Sequence, residues 1–573
     1  DVFLGESLVG QKYRHPLVEE VPAHANHNEP YDHRVVSADW VSMEEGTGVV
    51  HTAPAHGPED FEVARQFGVT VFNPLAKNGF FTQEAGKYAG MYFEEASKQV
   101  IEDLKRKGLL VHSSTYVHEY PFCWRCDTPL MYYADKQWFI RVAGIKETMV
   151  NENRAVDWHP DWASHRFGDW LENARDWCIS RERYWGTPLP IWTCKSCEHR
   201  VVVGSFNELK KIAIDPSKVP EDPHRPWIDQ VELKCPECGG VMAREPYVVD
   251  VWMDSGVAHT AGLAQYGLEG RLGEYYPFDF ITEALDQTRG WFYTLMFTGA
   301  SWHGKSPYKC VLNQGHVLDK FGKKMSKSRG NVINAIDAFE SWGADVYRLY
   351  VLAKSPAWEN INFDPDETKV YRRVLDILWN SVGFALMYMP LDNFTAEKVD
   401  EGLKHLELED KWLLTKLQRT IEGVTREMEE VDTHTAARMV SDFIVETLSH
   451  KYISLIRRRV WEEADSPKKL SAYATLYIAL TEVLKLIAPF TPFIAEELYQ
   501  NLVRSFYPEA PESVHLTDFP IADESLIDDE LSADARVAMK VASLGRAARS
   551  KAKIKVRQPL SEVVVRVLSL IHI

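Results

Sequence analysis

The chain has 573 residues, a mass of 65.7 kDa and 45% hydrophobic residues, material for the cores of about three or four domains in a globular protein. Its formal net charge of -18 does not exclude RNA as a partner, because patches of charge rather than sums govern association. No apolar run approaches the roughly 20 residues that cross a bilayer and no basic-then-apolar leader opens the chain, so a soluble, cytoplasmic protein with no membrane partner is expected.

The sequence opens on Asp1 rather than Met, in what reads as the middle of a folded domain. Up to about residue 120, short β-rich runs such as Gly48-Val49-Val50-His51-Thr52-Ala53-Pro54 alternate with Gly and Pro turns, and a helical run covers residues 94–107. A mixed β-rich domain is expected there. The connection from Gly46 to Phe61 concentrates histidines, carboxylates and glycines, His51 and Asp60 among them. A histidine and a carboxylate at such a turn can orient water and an ammonium group for ester hydrolysis; solvated polar residues explain the same pattern.

Six of the eight cysteines fall in Cys123-Trp124-Arg125-Cys126, Cys194-Lys195-Ser196-Cys197 and Cys235-Pro236-Glu237-Cys238, which in an intracellular chain favours metal over disulfides. Cys194, Cys197, Cys235 and Cys238 supply four thiolates for a closed tetrahedral Zn2+ site, and Gly239 and Gly240 permit the φ > 0 backbone of a knuckle. A closed site leaves no position for water, so its expected role is to hold a short insertion together. His199 is a competing ligand. Cys123 and Cys126 make half of such a site, with free thiols as the alternative.

From Trp138 the chain is rich in Trp, and Arg175-Asp176-Trp177-Cys178-Ile179-Ser180-Arg181-Glu182-Arg183-Tyr184-Trp185-Gly186 offers arginines that hold phosphate or carboxylate, or pair with local acids. Val248-Val249-Asp250-Val251-Trp252-Met253 and Phe280-Ile281-Thr282-Glu283-Ala284-Leu285-Asp286-Gln287 each read as strand, turn and helix start, the pattern of an open parallel sheet at its ligand edge. Glu283 and Asp286 can also cap the helix that follows. Next comes Phe321-Gly322-Lys323-Lys324-Met325-Ser326-Lys327-Ser328-Arg329-Gly330-Asn331, four cations without an acid between two glycines. It reads as a mobile cationic loop suited to a polyphosphate, where ammonium groups stabilise the charge that builds as pyrophosphate departs; a solvated basic turn is the competing reading. Beyond Gly330 the stripes Leu413, Leu417, Ile421, Val424, Met428, Val431 and Ala437, Val440, Ile444, Leu448, Tyr452 recur at helical spacing, and a helical bundle follows. The basic runs 451–459 and 546–557 suit RNA or a solvated helix face.

The loop follows Asn313-Gln314-Gly315-His316-Val317-Leu318-Asp319, and in that order resembles the signature loop of class I aminoacyl-tRNA synthetases. The block at 175–192 resembles the catalytic domain of their isoleucyl, valyl and leucyl branches, and Asp286-Gln287-Thr288-Arg289-Gly290-Trp291-Phe292 is similar to the isoleucyl version. The resemblance runs to about Val567 and implies an α/β multidomain protein. Its parts would be the C-terminal part of a β-rich editing domain at 1–127 and half of a Rossmann-like catalytic domain at 128–345, with a zinc insertion near 193–246 and the signature loop at 321–331. A connecting segment at 346–370 and an α-helical anticodon-binding bundle at 371–567 would follow. The last six residues, 568–573, resemble a translated adapter and are assigned no native role.

The resemblance further implies Lys324 and Lys327 as catalytic residues, Lys324, Ser326, Lys327 and Ser328 as ATP-binding, and Glu283, Asp286 and Gln287 as adenylate-binding. His51 and Asp60 would line an editing pocket whose threonine-rich strand is not in this sequence, and the partner pair of Cys123 and Cys126 would lie upstream. ATP with Mg2+, Zn2+, L-isoleucine and tRNA(Ile) are the implied cofactors and partners, and a monomer is expected. Ala284 stands where the family commonly has Gly, which leaves the geometry of Glu283 open. Nothing matches the family's His-x-Gly-His element, so the chain alone is expected not to form adenylate. A valyl or other branched-chain synthetase and a non-catalytic tRNA-binding module are the rival readings.

Overall fold

The computed structural model describes residues 4–42, 47–123, 126–463 and 465–565, and of Ser328 the backbone alone. The assignment of 568–573 lies outside the described residues. The chain divides into two compact units, Asp1–Trp138 and Phe139–Ile573.

The first unit is not β-rich. Its described residues form the helices Pro58–Phe67 and Phe93–Arg106, short 3-10 turns and isolated bridges such as Lys12 with Arg34, but no strand. The expected helix at 94–107 is present. The expected strands fail because β propensity reports a fit to a pleated, half-buried surface, and these runs meet no partner among the described residues. Val49, Val50, Val111 and Val117 are accordingly exposed. A small core of Val21, Ala85, Tyr88 and Ala96 is pinned by buried Asp103, which accepts from Lys87 Nζ at 2.5 Å, Tyr88 OH at 2.9 Å and Arg106 Nη2 at 2.8 Å. Lys87, the largest influence, and the other donors hold the Asp103 carboxyl below its ordinary range.

In the second unit a three-stranded, all-parallel sheet carries the order Phe278–Ala284, Tyr308–Gln314, Asp157–His159. Parallel neighbours require a crossover, and the helix Trp291–His303 supplies it, burying Phe292, Met296 and Phe297 with Trp158, Phe167 and Val311. The predicted strand, turn and helix start is found at both places. The first of them, Val248–Val249, pairs antiparallel with Ser180–Arg181 and stands outside the parallel sheet.

Between them lies an insertion with its own antiparallel sheet, in the order Arg200–Val202, Ile191–Cys194, Val241–Arg244, Leu233–Lys234. Trp192, Leu209, Ile228, Leu233 and Met242 form its separate core, and Trp192 Nε1 donates to the Val231 carbonyl at 2.8 Å.

The remainder is a helical bundle. Leu413, Leu417, Ile421 and Val424 are buried along Leu408–Glu429, as predicted, whereas Val431 falls beyond its end with φ 60°. The stripe Val440, Ile444, Leu448, Tyr452 steps by four, and from Phe443–Ile453 the backbone adopts the wider π pairing that keeps such a step on one face. The helix Pro467–Ile487 is long and apolar enough to cross a bilayer by composition, longer than the sequence reading allowed; it is mostly buried at the bundle centre.

Candidate functional site

The parallel sheet places two polar segments at one edge. Its first two strands end in register, Glu283 beside Asn313 and Ala284 beside Gln314, so the turns after both emerge at the carboxyl edge where open α/β sheets take ligands. Glu283 is exposed there. Ala284 is extended at φ -76°, so this backbone makes no demand for glycine at that position. Asp286 and Gln287 lie in the turn Leu285–Arg289, with Gln287 Nε2 donating to Asp286 Oδ2 at 2.8 Å. Capping falls to Gln287, not to Glu283 or Asp286: its Oε1 accepts the Trp291 N–H at 2.9 Å. Gly290 makes room for that contact, since a Cβ there would meet Gln287 Oε1 at 2.4 Å.

The second segment is joined to the first by His316, whose Nε2 lies 3.5 Å from Asp286 Oδ1. The strand Val317–Asp319 pairs in parallel with Ile361–Phe363 and leads into the lysine loop. The sequence reads this loop as mobile, but the structure shows it tied internally. Asp319 Oδ1 accepts the N–H groups of Phe321 at 3.0 Å and Lys323 at 2.8 Å, and its Oδ2 accepts Asn331 Nδ2 at 2.9 Å. Asn331 also accepts the Ser326 N–H at 2.9 Å. The bond from Asn331 and the two backbone donors hold the Asp319 carboxyl below its ordinary range. Gly322 and Gly330 take φ 77° and 67°, the left-handed conformations that their placement suggests. Lys323, Lys324, Lys327 and Arg329 are exposed, and none forms an ion pair among the described residues. Ser326 is half-buried; the side chain of Ser328 lies outside the described residues.

Asp319 and Asn331 were not singled out by sequence reasoning, although an Asx residue at each end of a Gly-punctuated loop is the available signal. Asn313 was missed too. Its side chain is buried with neither amide atom hydrogen bonded, and it interrupts the apolar run Val311-Leu312. Of the three arginines in the 175–192 block, Arg181 pairs with Asp250 at 2.6 Å, which also accepts Trp177 Nε1 at 3.1 Å, and Arg175 and Arg183 are exposed.

In the insertion the four predicted sulfurs converge, Cys194 to Cys238 at 3.5 Å and Cys197 to Cys235 at 3.6 Å, all four within 4.8 Å of one another. Tetrahedral Zn–S bonds of about 2.3 Å place sulfurs about 3.8 Å apart, so this donor set fits zinc. His199 takes no part in the cluster; its carbonyl accepts the Cys194 N–H at 2.8 Å. Backbone N–H groups, that of Ser196 foremost, bring the Cys194 thiol down to about 6. Both knuckles close with a left-handed residue, Glu198 at φ 58° and Gly239 at φ 74°. The half-site shares this form: Asp127 has φ 54°, and its N–H donates to the Cys123 carbonyl at 2.9 Å, as Glu198 does to Cys194 at 3.1 Å and Gly239 to Cys235 at 3.0 Å.

In the first unit His51 is exposed and Asp60 half-buried in the first turn of Pro58–Phe67. Asp60 folds back over Gly57, where a Cβ would come within 2.5 Å of its Oδ2. No hydrogen bond joins His51 to Asp60 among the described residues.

Residues 70–364 match the family described as tRNA synthetases class I (I, L, M and V). The chain belongs to the class I tRNA synthetases. Residues 410–565 of this synthetase chain match the anticodon-binding domain of tRNA ligase. It is 45% identical over 99% of its length to a protein named isoleucine–tRNA ligase from Methanopyrus kandleri, covering 54% of that relative. Relatives of the same name from Methanothermobacter thermautotrophicus and Pyrobaculum aerophilum are 46% and 47% identical over 98% of the chain, which covers 53% and 57% of them. This synthetase chain thus spans about half the length of the curated relatives it matches. A solved methionyl-tRNA synthetase of Mycobacterium tuberculosis with methionyl-adenylate aligns over 70% of each chain at 16% identity and a TM-score of 0.48.

Proposed function

We propose that the protein activates L-isoleucine with ATP and transfers it to tRNA(Ile). The carboxylate of isoleucine attacks the α-phosphate, pyrophosphate leaves, and the tRNA terminal ribose then takes the isoleucyl group from the adenylate. The observation that carries this reading is the sheet edge that presents Glu283, Asp286 and Gln287, where Asp286 meets His316 on the segment leading into the lysine loop. The relatives at 45–47% identity, each an isoleucine–tRNA ligase by name, support the choice of amino acid.

In this reading Lys324 and Lys327 are the catalytic cations. Their ammonium groups meet charge that is larger on the departing phosphates than in bound ATP, so they stabilise the transition state above the ground state. Ser326 and Ser328 complete the ATP contacts, with Mg2+ entering bound to ATP. Glu283 takes the adenylate from the exposed strand end, and Asp286 and Gln287 hold it from the turn, the latter already fixed through its bond to Trp291. Zn2+ would be held by Cys194, Cys197, Cys235 and Cys238, where it supplies a cross-link within the insertion. His51 and Asp60 would belong to hydrolytic editing of valine. Isoleucine and valine differ by one methylene, worth about 1–3 kcal/mol in a binding pocket, a general figure for which this pair is itself the reference case.

The test is isoleucine-dependent ATP–pyrophosphate exchange by a complete protein containing this chain, with valine as the second arm. Lys327→Ala should lower exchange by roughly 10²- to 10³-fold, the usual loss for one donor to developing charge. Unchanged exchange would remove the loop from the chemistry, and preference for valine would move the protein to the valyl branch. Tight tRNA binding without exchange would favour a non-catalytic module. The 573-residue chain alone, which has no His-x-Gly-His element, should show no exchange.

A further inference from the structure

His15, His24, His27 and His33 of the first unit are gathered together away from the sites above. His24 lies in the 3-10 turn Pro22–Asn26 and His27 caps its end. Three residues per turn place positions i and i+3 on one face, so the two rings stand together with centroids 5.2 Å apart. His33 meets them from a neighbouring segment, at 5.7 Å from His24 and 5.9 Å from His27. Its backbone is left-handed at φ 54°, uncommon for a residue with a large side chain, and is fixed by the Tyr13 N–H donating to its carbonyl at 2.9 Å. One ring nitrogen from each of the three lies within 4.8 Å of the others.

The surroundings separate ligands from walls. Phe72 closes the apolar side, 5.2 Å from His24 and 5.0 Å from His27. His15 stacks on His24 at 3.6 Å while its Nδ1 accepts the Leu17 N–H at 3.2 Å, so it serves as a wall. Asp32 is occupied by the N–H groups of Glu29 at 2.9 Å and Thr70 at 2.8 Å. By contrast His24 Nδ1 is buried and has no hydrogen-bond partner, although a buried ring nitrogen ordinarily finds one.

We propose that His24, His27 and His33 bind one divalent transition-metal cation of the zinc class, with water completing the shell. Neutral imidazoles are the commonest nitrogen ligands for such ions, and Zn–N bonds of about 2.0–2.1 Å set the nitrogens about 3.4 Å apart in a tetrahedron. The rings need only draw together from within 4.8 Å, a movement that rotation about χ2 supplies. The ion would tie the 22–26 turn to the segment carrying His33. Three protein ligands leave a fourth position open, unlike the four-cysteine site.

The experiment uses the untagged 573-residue chain, Zn2+ as the probe, and the equivalents retained after dialysis against buffered metal. His33→Asn is the first variant, because Asn tolerates the left-handed backbone; His27→Gln is the second, and either alone decides the matter if the other does not fold. The wild-type chain should retain one equivalent more than each variant. With Co2+, the thiolate-to-metal absorption of the four-cysteine site should be the same in all three, while the wild type alone gains a weaker spectrum without sulfur character. Equal equivalents in the wild type and a folded variant would overturn the proposal and leave the cluster as stacked imidazoles.

Discussion

Arg459 ends a run of three arginines in the sequence, yet only Arg457 and Arg458 face solvent. Its guanidinium is turned onto the fully buried Asp410, with Nη1 to Oδ1 at 3.0 Å and Nη2 to Oδ2 at 2.7 Å, and Tyr452 OH donates to the same carboxylate at 2.7 Å. Removing one side of a buried charge pair leaves the other uncompensated, so Asp410→Ala should cost about 3–5 kcal/mol, read from urea unfolding of the helical bundle. Arg457→Ala should leave that stability within about 0.5 kcal/mol. His259 gives a pH signature at the same scale. It is buried between Thr298 Oγ1 at 3.1 Å and Thr260 Oγ1 at 2.8 Å, and burial, helped by His303, brings it down to about 4. Below pH 6.5 the unfolded chain therefore binds a proton that the folded chain refuses until about pH 4, and stability falls with pH across that window. Thermal melts at pH 7 and pH 5 should show a smaller loss for His259→Gln than for the wild type.

Among the elements, the convergence of the four cysteines in the insertion and the parallel sheet were legible in sequence, because each is specified locally. A Cys-x-x-Cys turn presents two sulfurs whatever surrounds it, and strand, turn and helix start are written in consecutive residues from Phe280 to Phe292. The first unit was not legible in that way: the run 48–54 carries strand propensity, but a ladder depends on a partner that the run itself cannot specify. The ties inside the lysine loop were also hidden, since Asp319 and Asn331 read as ordinary turn residues until their bonds are traced. The insertion predicts its own failure. Its separate core around Trp192 is small, so if the cluster takes Zn2+ as proposed, the ion is a cross-link for the insertion, and Cys235→Ser should abolish Zn2+ retention there. Hydrogen exchange should then rise across residues 191–244 and stay unchanged in the helical bundle.

At the scale of the whole molecule, a net charge of -18 coexists with a strongly basic C-terminal segment. Lys551, Lys553, Lys555 and Arg557 are exposed at and beyond the end of the helix Asp529–Lys551, while Arg549 donates to the carbonyls of Lys555 at 3.1 Å and Gln558 at 2.7 Å. If these cations meet tRNA phosphates, replacing Lys551, Lys553 and Lys555 by Ala should weaken tRNA binding. The slope of log K against log salt should then fall by about 0.7–0.9 for each phosphate no longer neutralised. An unchanged slope would make the segment a solvated face.

Gly315 carries a mechanical consequence. A Cβ at this position would come within 2.2 Å of the Glu359 carbonyl oxygen, and its N–H donates to the Ala357 carbonyl at 2.8 Å. The root of the lysine loop is therefore seated against the stretch of backbone that leads into the first long helix of the bundle, Thr368–Tyr388. Any swing of Lys324 and Lys327 must break the bonds that Asp319 and Asn331 make across the loop to Lys323 and Ser326, while the base travels with the helical half of the protein.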